Sequence, residues 1–226
     1  MAAVKKPRRK RRAMSGSPLR REHIVTTALK LVDREGLKAL SMRRLGAELG
    51  VDPMAVYYHI PSKHALLHAI VEAVMASIDL SIDDPADPPE ERILRAAHAY
   101  RDAMLAHANT MPILLSHGPS TAAALRPVEL LTGILRDAGL PPGEAFSGMN
   151  TIAATVRGFV GMLASGAKKP TQEEIEAMAR SFPASEFPYL RETMPFAFDF
   201  ADRGFDFGIR ALARGLLAEA RGGLPG

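Results

Sequence analysis

Cysteine and tryptophan are both absent from the 226 residues. Without thiols there is no disulfide framework and no thiolate metal or redox chemistry, which suits a reducing cytoplasm. Aromatics are sparse, at 6%, so the core has to come from aliphatic side chains and the 11 methionines. No apolar run approaches the roughly 20 residues that span a bilayer, so no membrane partner is expected. The basic start has no apolar segment or cleavage site after it, so no secretory signal is expected. No stretch alternates apolar and polar residues as a half-buried strand does, and no repeat of fixed period stands out. A phosphate-binding glycine loop, a nucleophile elbow and an H-E-x-x-H helix are also missing, so neither an enzyme centre nor a cofactor is expected.

Hydrophobic residues make up 47%, enough for a sizeable core in one or two domains. Charge is unevenly placed. Residues 1–22 hold nine Lys or Arg against one acid, net +8, and the rest holds 20 bases and 24 acids, net −4. Residues 1–16 read as a disordered basic tail, because clustered like charges repel. Such a tail either neutralises phosphates and releases counterions or is simply solvated.

The segment from Leu40 to Leu67 carries the densest local signals. Ser41 can cap a helix, and Met42, Leu45 and Leu49 give that helix one apolar stripe. Gly46 leaves room for a second helix, Gly50 suits a left-handed turn, and Val51 can plug the gap between the two. Asp52 caps the next helix and Pro53 fits its first turn. Val56 and Ile60 can face inward, leaving Met54, Ala55, Tyr57, Tyr58 and His59 largely outside. Pro61 and Ser62 stop this helix and start the next near Lys63. A two-turn helix with outward tyrosines can touch phosphate oxygens and thymine methyls. The same spacing also fits an ordinary helical hairpin.

These residues resemble the DNA-binding domain of the TetR family of transcriptional repressors. The similarity runs from about Arg20 to Val74 and rests on Ala28, Leu31, Gly36, Leu40 to Leu45, Leu49-Gly50-Val51, Val56 to His59, Lys63 and Leu66-Leu67. The Tyr-Tyr-His-Ile-Pro-Ser-Lys run resembles the tetracycline-repressor branch. The resemblance implies that Tyr57 and Lys63 contact phosphates, with help from Ser41, and that Arg43 reaches a guanine. It places Pro53, Met54, Ala55 and His59 against base edges, flanked by Tyr58. Pro53 stands where that branch has a base-reading glutamine, so its operator sequence does not transfer.

The whole chain reads as all-α. A three-helix helix-turn-helix domain, 17–75, is joined by a long helix to a helical effector-binding and dimerisation domain, 76–226. Ser17-Pro18 is expected to cap the first helix, which buries Ile24, Ala28, Leu31 and Val32 and ends at Gly36. The helix from Lys63 is expected to reach about Ile78. Further helices are expected over 90–108, 111–117, 122–138 with a break at Pro127, 142–164 ending in Gly166, 171–181, and about 196–220. The segment 182–195 is broken by three prolines.

Gly148, Ala153, Ala154, Gly158 and Gly161, with Phe159 and Met162, suggest a helix that another can approach closely. Phe198, Phe205, Ile209, Leu212 and Leu216 line a second stripe. Either stripe also suits monomer core. The run from Phe205 to Leu216 resembles the family's terminal dimer helix, which implies a homodimer through a four-helix bundle.

The family also implies a small-molecule effector pocket. Methionines, aromatics and a few polar side chains in the second domain suit one. The residues expected there are Tyr100, Met104, His107, Met111, His117, Met149, Thr155 and Phe159, although such side chains at helical spacing are more often core. His64, His68 and Glu72 share metal-binding spacing, but no further ligand is evident, and a wet polar face is the expected reading. The expected function is a ligand-responsive repressor that binds a palindromic double-stranded operator in the cytoplasm. The competing reading is a small-molecule-binding or catalytic protein whose helix-turn-helix is only structural.

Overall fold

A computed structural model describes residues 19–165, 170–199 and 203–222. The basic tail, Ser17-Pro18 and Gly166 lie outside the described residues. Those described form an all-helical structure of eleven α-helices, with short 3₁₀ turns and no strand. The helices are α1 (Arg21–Glu35), α2 (Met42–Leu49), α3 (Pro53–His59), α4 (Lys63–Ala76), α5 (Pro89–Ala106), α6 (Met111–Leu114), α7 (Ala122–Asp137), α8 (Pro142–Leu163), α9 (Gln172–Ser181), α10 (Pro188–Thr193) and α11 (Phe205–Gly222).

Helices α2 and α3, and the start of α4, form where the local signals put them. Ser41 Oγ accepts from the Arg44 N–H at 3.1 Å, Asp52 Oδ1 from Met54 at 2.9 Å, and Ser62 Oγ from Ala65 at 3.1 Å. Each such cap contributes about 0.5–2 kcal/mol. Gly50 turns left-handed at φ 68°, where a Cβ would be strained. Beneath the turn, Ile24, Ala28, Leu31, Leu45, Val56, Ile60, Leu66 and Ile70 are all shielded from solvent. Burying a side chain of this size stabilises by about 1.5–3 kcal/mol.

Gly46 sets the distance between α2 and α3. A Cβ there would lie 3.1 Å from the Val51 carbonyl oxygen and 3.2 Å from the Pro53 backbone. Backbone atoms cannot swing away as a side-chain end can. Alanine gains about 1 kcal/mol of helix propensity, and overpacking costs about 1–3 kcal/mol. Gly46→Ala is therefore expected to lower the urea midpoint. An unchanged or higher midpoint would show that the turn has slack.

Six expectations need correction, the first being that α6 ends at Leu114, three residues short of the expected end. The residue before α1 is Arg20, in extended conformation and without a side-chain cap, so the Ser17-Pro18 cap is not at the helix start. Pro127 does not break its helix, since α7 runs through it; its missing N–H frees one carbonyl in the first two turns, which packing tolerates. α4 ends at Ala76, with Ser77 donating its hydroxyl hydrogen back to the Val74 carbonyl at 2.7 Å. The region 182–195 contains the short helix α10. The last helix begins at Phe205, preceded by a separate 3₁₀ segment over Met194–Asp199.

α4 is the central strut. It packs on α1 beside the turn and on α7, α5 and α6 farther along. α5, α7, α8 and α11 pack on one another beyond it, around Ile93, Met104, Ile134, Ile152, Val156 and Phe205. Bidentate Arg92–Asp83 bonds of 2.9 and 2.8 Å fix the entry to α5, and Arg210 on α11 reaches Glu91 at 2.6 Å. No described helix is long and apolar enough to cross a membrane.

Candidate nucleic-acid interface and effector cavity

The short helix α3 turns Val56 inward and leaves its other side bare. Tyr58 is 87% and Met54 69% exposed, four residues apart on that bare side. Arg43, Tyr57 and Lys63 are also exposed, and Pro53, Ala55 and His59 are half-exposed. Tyr58 meets the His59 ring edge-on at 5.2 Å. Ser41 is exposed and uses Oγ only as a cap acceptor, so its hydroxyl hydrogen remains able to donate.

The two adjacent arginines of α2 differ. Arg44 is held by Glu35 at 2.9 Å and Glu48 at 3.4 Å, in a cluster with Arg34. Hydrogen bonds from Arg34 and Arg44 hold the Glu35 carboxyl below its ordinary value. Arg43 has no ion pair among the described residues and stands open to solvent. The helix therefore presents one structural and one available guanidinium.

A cavity of about 540 Å³ lies between the strut and the larger helical group. Its walls come from Val71 and Met75 on α4, Ala96 and Tyr100 on α5, residues 114–119, the start of α7, and Phe146, Met149, Asn150 and Arg157 on α8. The volume falls within the roughly 300–1,000 Å³ of small-molecule sites. Of the eight pocket residues expected from sequence, Tyr100, His117 and Met149 line it. The other five are elsewhere. Met104 and Met111 are buried in the core. His107 turns to Asp33 on α1, Nδ1 to carboxylate oxygen, at 2.9 Å. Thr155 donates to the Thr151 carbonyl, and Phe159 packs edge-on against Phe205 at 5.2 Å. Arg157 was not singled out from sequence, because a lone arginine on a helix reads as solvated surface. Phe146, Asn150, Ala153 and Arg157 do share one helical face, a signal that was present in the spacing.

Residues 114–119 run from this cavity straight to α4. Ser120 and Thr121 donate both their backbone N–H groups and their hydroxyls to Glu72 of α4, Ser120 from its backbone at 2.7 Å. Burial opposes ionisation of Glu72, but the bonds from Thr121 and Ser120 outweigh it and hold the carboxyl below its ordinary value. Thr121 also caps α7. Glu72 thus latches the two helices together, and of His64 and His68 on the same helix the second approaches it, Nδ1 to carboxylate oxygen, at 3.9 Å. Those two histidines stack on each other and meet His117 edge-on, with ring centroids 5.1 to 5.8 Å apart.

The surfaces expected to pair with a second chain are partly redistributed. Phe205 and Ile209 are buried within the chain, a Cβ on Gly148 would meet Leu216 at 3.1 Å, and Ala153 lines the cavity. The Phe198 side chain lies outside the description. Among the residues that α8 leaves free are Ser147, Thr151, Ala154, Gly158, Gly161 and Met162, and among those of α11 are Phe207, Ala211, Gly215 and Ala218.

An exposed helix-turn-helix tied by one strut to a helical body with an apolar cavity defines a ligand-binding transcription regulator. Residues 24–70 match the family model of bacterial regulatory proteins of the tetR family, and residues 83–220 match that of the tetracyclin repressor-like C-terminal domain. The chain is 30% identical over 177 residues to the class C tetracycline repressor protein of Escherichia coli, covering 74% of this chain and 77% of that one. ActR from Streptomyces coelicolor superposes with a TM-score of 0.82 at 28% identity, covering 92% of this chain and 99% of that one. ActR in complex with actinorhodin superposes at 0.80, also at 28% identity, over 90% and 99%. BioQ, solved with its natural double-stranded DNA operator, superposes at 0.64 with 26% identity, over 88% and 99%. The chain belongs to the TetR family of transcription regulators.

Proposed function

We propose that this protein is a homodimeric repressor that binds a palindromic operator and is released from it by a small-molecule effector. Residues 17–75 form the reader and 76–226 the effector and dimerisation domain, with the division inside the strut. The reader uses Tyr57 and Lys63 on phosphates with Ser41, Arg43 on a guanine, and Pro53, Met54, Ala55, Tyr58 and His59 along the base edges. Two readers enter successive major-groove faces, with half-site centres about 34–36 Å apart or a multiple of that. The free faces of α8 and α11 pair the two copies, since small residues allow helices to approach closely. Action is in the cytoplasm, where the operator is. ActR, solved with actinorhodin, and BioQ, solved with its double-stranded DNA operator, are relatives that support a small-molecule and a DNA partner.

One observation carries the reading. α4 begins at the reader with Lys63 and forms a cavity wall with Val71 and Met75. An effector filling the cavity touches the same rigid helix that aims the reader. It also displaces residues 114–119, which end in the Glu72 latch. A coupling of about 1–3 kcal/mol weakens operator binding about 5- to 150-fold.

The docking is tested by Tyr57→Ala and Lys63→Ala in gel-shift titrations on fragments selected from random DNA. Each is expected to weaken binding across all selected sequences, and Lys63→Ala to flatten the salt dependence by about one unit of slope. Unchanged affinity in both variants would refute the docking and favour a turn that is only structural.

A further inference from the structure

We infer that the effector is an acid: an apolar molecule with one carboxylate or ionised phenol that pairs with Arg157. The inference rests on the cavity being the effector site proposed above. Among the cavity's lining residues there is no Asp or Glu, and Arg157 carries the single formal charge. Its Nη1 donates to the Tyr100 hydroxyl at 3.1 Å, a neutral acceptor. Among the described residues no carboxylate pairs with it. Several arginines of the body are matched by carboxylates, among them Arg92 with Asp83 at 2.8 Å, Arg95 with Asp87 at 2.6 Å, Arg210 with Glu91 at 2.6 Å and Arg214 with Glu90 at 2.9 Å, while Arg136 and Arg191 donate to backbone carbonyls and do not face the cavity.

The remaining walls are mostly aliphatic and aromatic, with Met75, Leu131, Phe146 and Met149 among them, and Ser116, His117 and Asn150 add the other polar side chains. An apolar ligand that fills such a space expels water. Arg157 then loses hydration and needs a counter-charge, because an unpaired buried cation is strongly disfavoured. A carboxylate supplies it by accepting two parallel N–H bonds from the guanidinium fork. A neutral ligand leaves the charge unmatched, and a cation adds repulsion with no acid nearby to offset it.

The test uses the full-length protein and a neutral solvatochromic dye, Nile red, to report occupancy of the cavity. Anthracene-2-carboxylic acid, its primary amide and 2-(aminomethyl)anthracene then compete with the dye near neutral pH. The acid is expected to displace the dye at a concentration at least ~10-fold below the amide and ~100-fold below the amine, as a charge-assisted hydrogen bond allows. Arg157→Met should bring acid and amide within ~3-fold of each other without weakening the amide, because the change removes the charge and keeps most of the bulk. The comparison on the unaltered protein stands even if that variant fails to fold. If all three compete equally, if none displaces bound dye, or if the amine competes best, the acidic effector is overturned and the cavity reading survives. If neither the dye nor any of the three binds, the cavity reading falls and takes this inference with it.

Discussion

Gly158→Arg is expected to yield a monomer and to lower operator affinity by about 100-fold or more. Gly158 sits on the exposed side of α8, and a Cβ there meets no other atom of its own chain within 4 Å. The monomer can therefore carry the new side chain without strain, and leaving glycine should favour the helix by up to about 1 kcal/mol. In the proposed dimer the same position faces the helices of the second copy, beside Ala154 and Gly161. There the long arginine side chain is too large for a contact built on small residues. Two tethered readers hold an operator by avidity, so one reader alone loses most of the binding. Light scattering coupled to size exclusion reads the mass, and gel shifts read the affinity. A variant that remains dimeric at micromolar concentration would remove α8 from the interface.

The second large effect is expected at Glu72. Glu72→Leu should leave operator affinity within a few fold and reduce effector-induced release to near nothing. It should also cost about 1–3 kcal/mol of stability. The carboxylate accepts from Ser120 and Thr121 at the point where the cavity's loop meets α7. Without it, movement of that loop no longer pulls on α4. The latch also gives a pH signature. Glu72 is held below its ordinary value in the folded state, so its contribution is complete above the unfolded carboxylate range, about pH 4.3, and is lost as pH falls through the lowered value. Wild type and Glu72→Gln should therefore differ most in stability near neutral pH and converge in acid. Full effector release in Glu72→Leu would place the coupling elsewhere on α4, with Val71 and Met75 as the remaining contacts.

The reader was legible because its determinants are short-range. Ser41, Asp52 and Ser62 each cap a backbone N–H two or three residues away, and Gly46 and Gly50 act within the turn that they shape. Tyr58 and Met54 are exposed because Val56 and Ile60 take the only inward directions on a two-turn helix. The family likeness was densest along the same stretch. The body was legible as helices but not as faces. Met104 and Phe159 suit a pocket by chemistry, yet the packing of α5, α8 and α11 turned them onto the core, and Met111 is buried where α6 meets α4. Phe205 and Ile209 read as an interface stripe, yet they close the chain's own core and leave Phe207, Ala211 and Gly215 outside.

The chain by itself determined an all-helical molecule, the position of its DNA-reading turn and its family, since caps, glycines and apolar spacing act over a few residues. Tertiary structure alone decided that Arg157 and Tyr100, 57 residues apart, share one cavity, and that Glu72 on α4 meets Ser120 and Thr121. Those contacts depend on how α4, α5, α7 and α8 cross. Helix crossing is set by the summed packing of many side chains, and no local pattern records that sum.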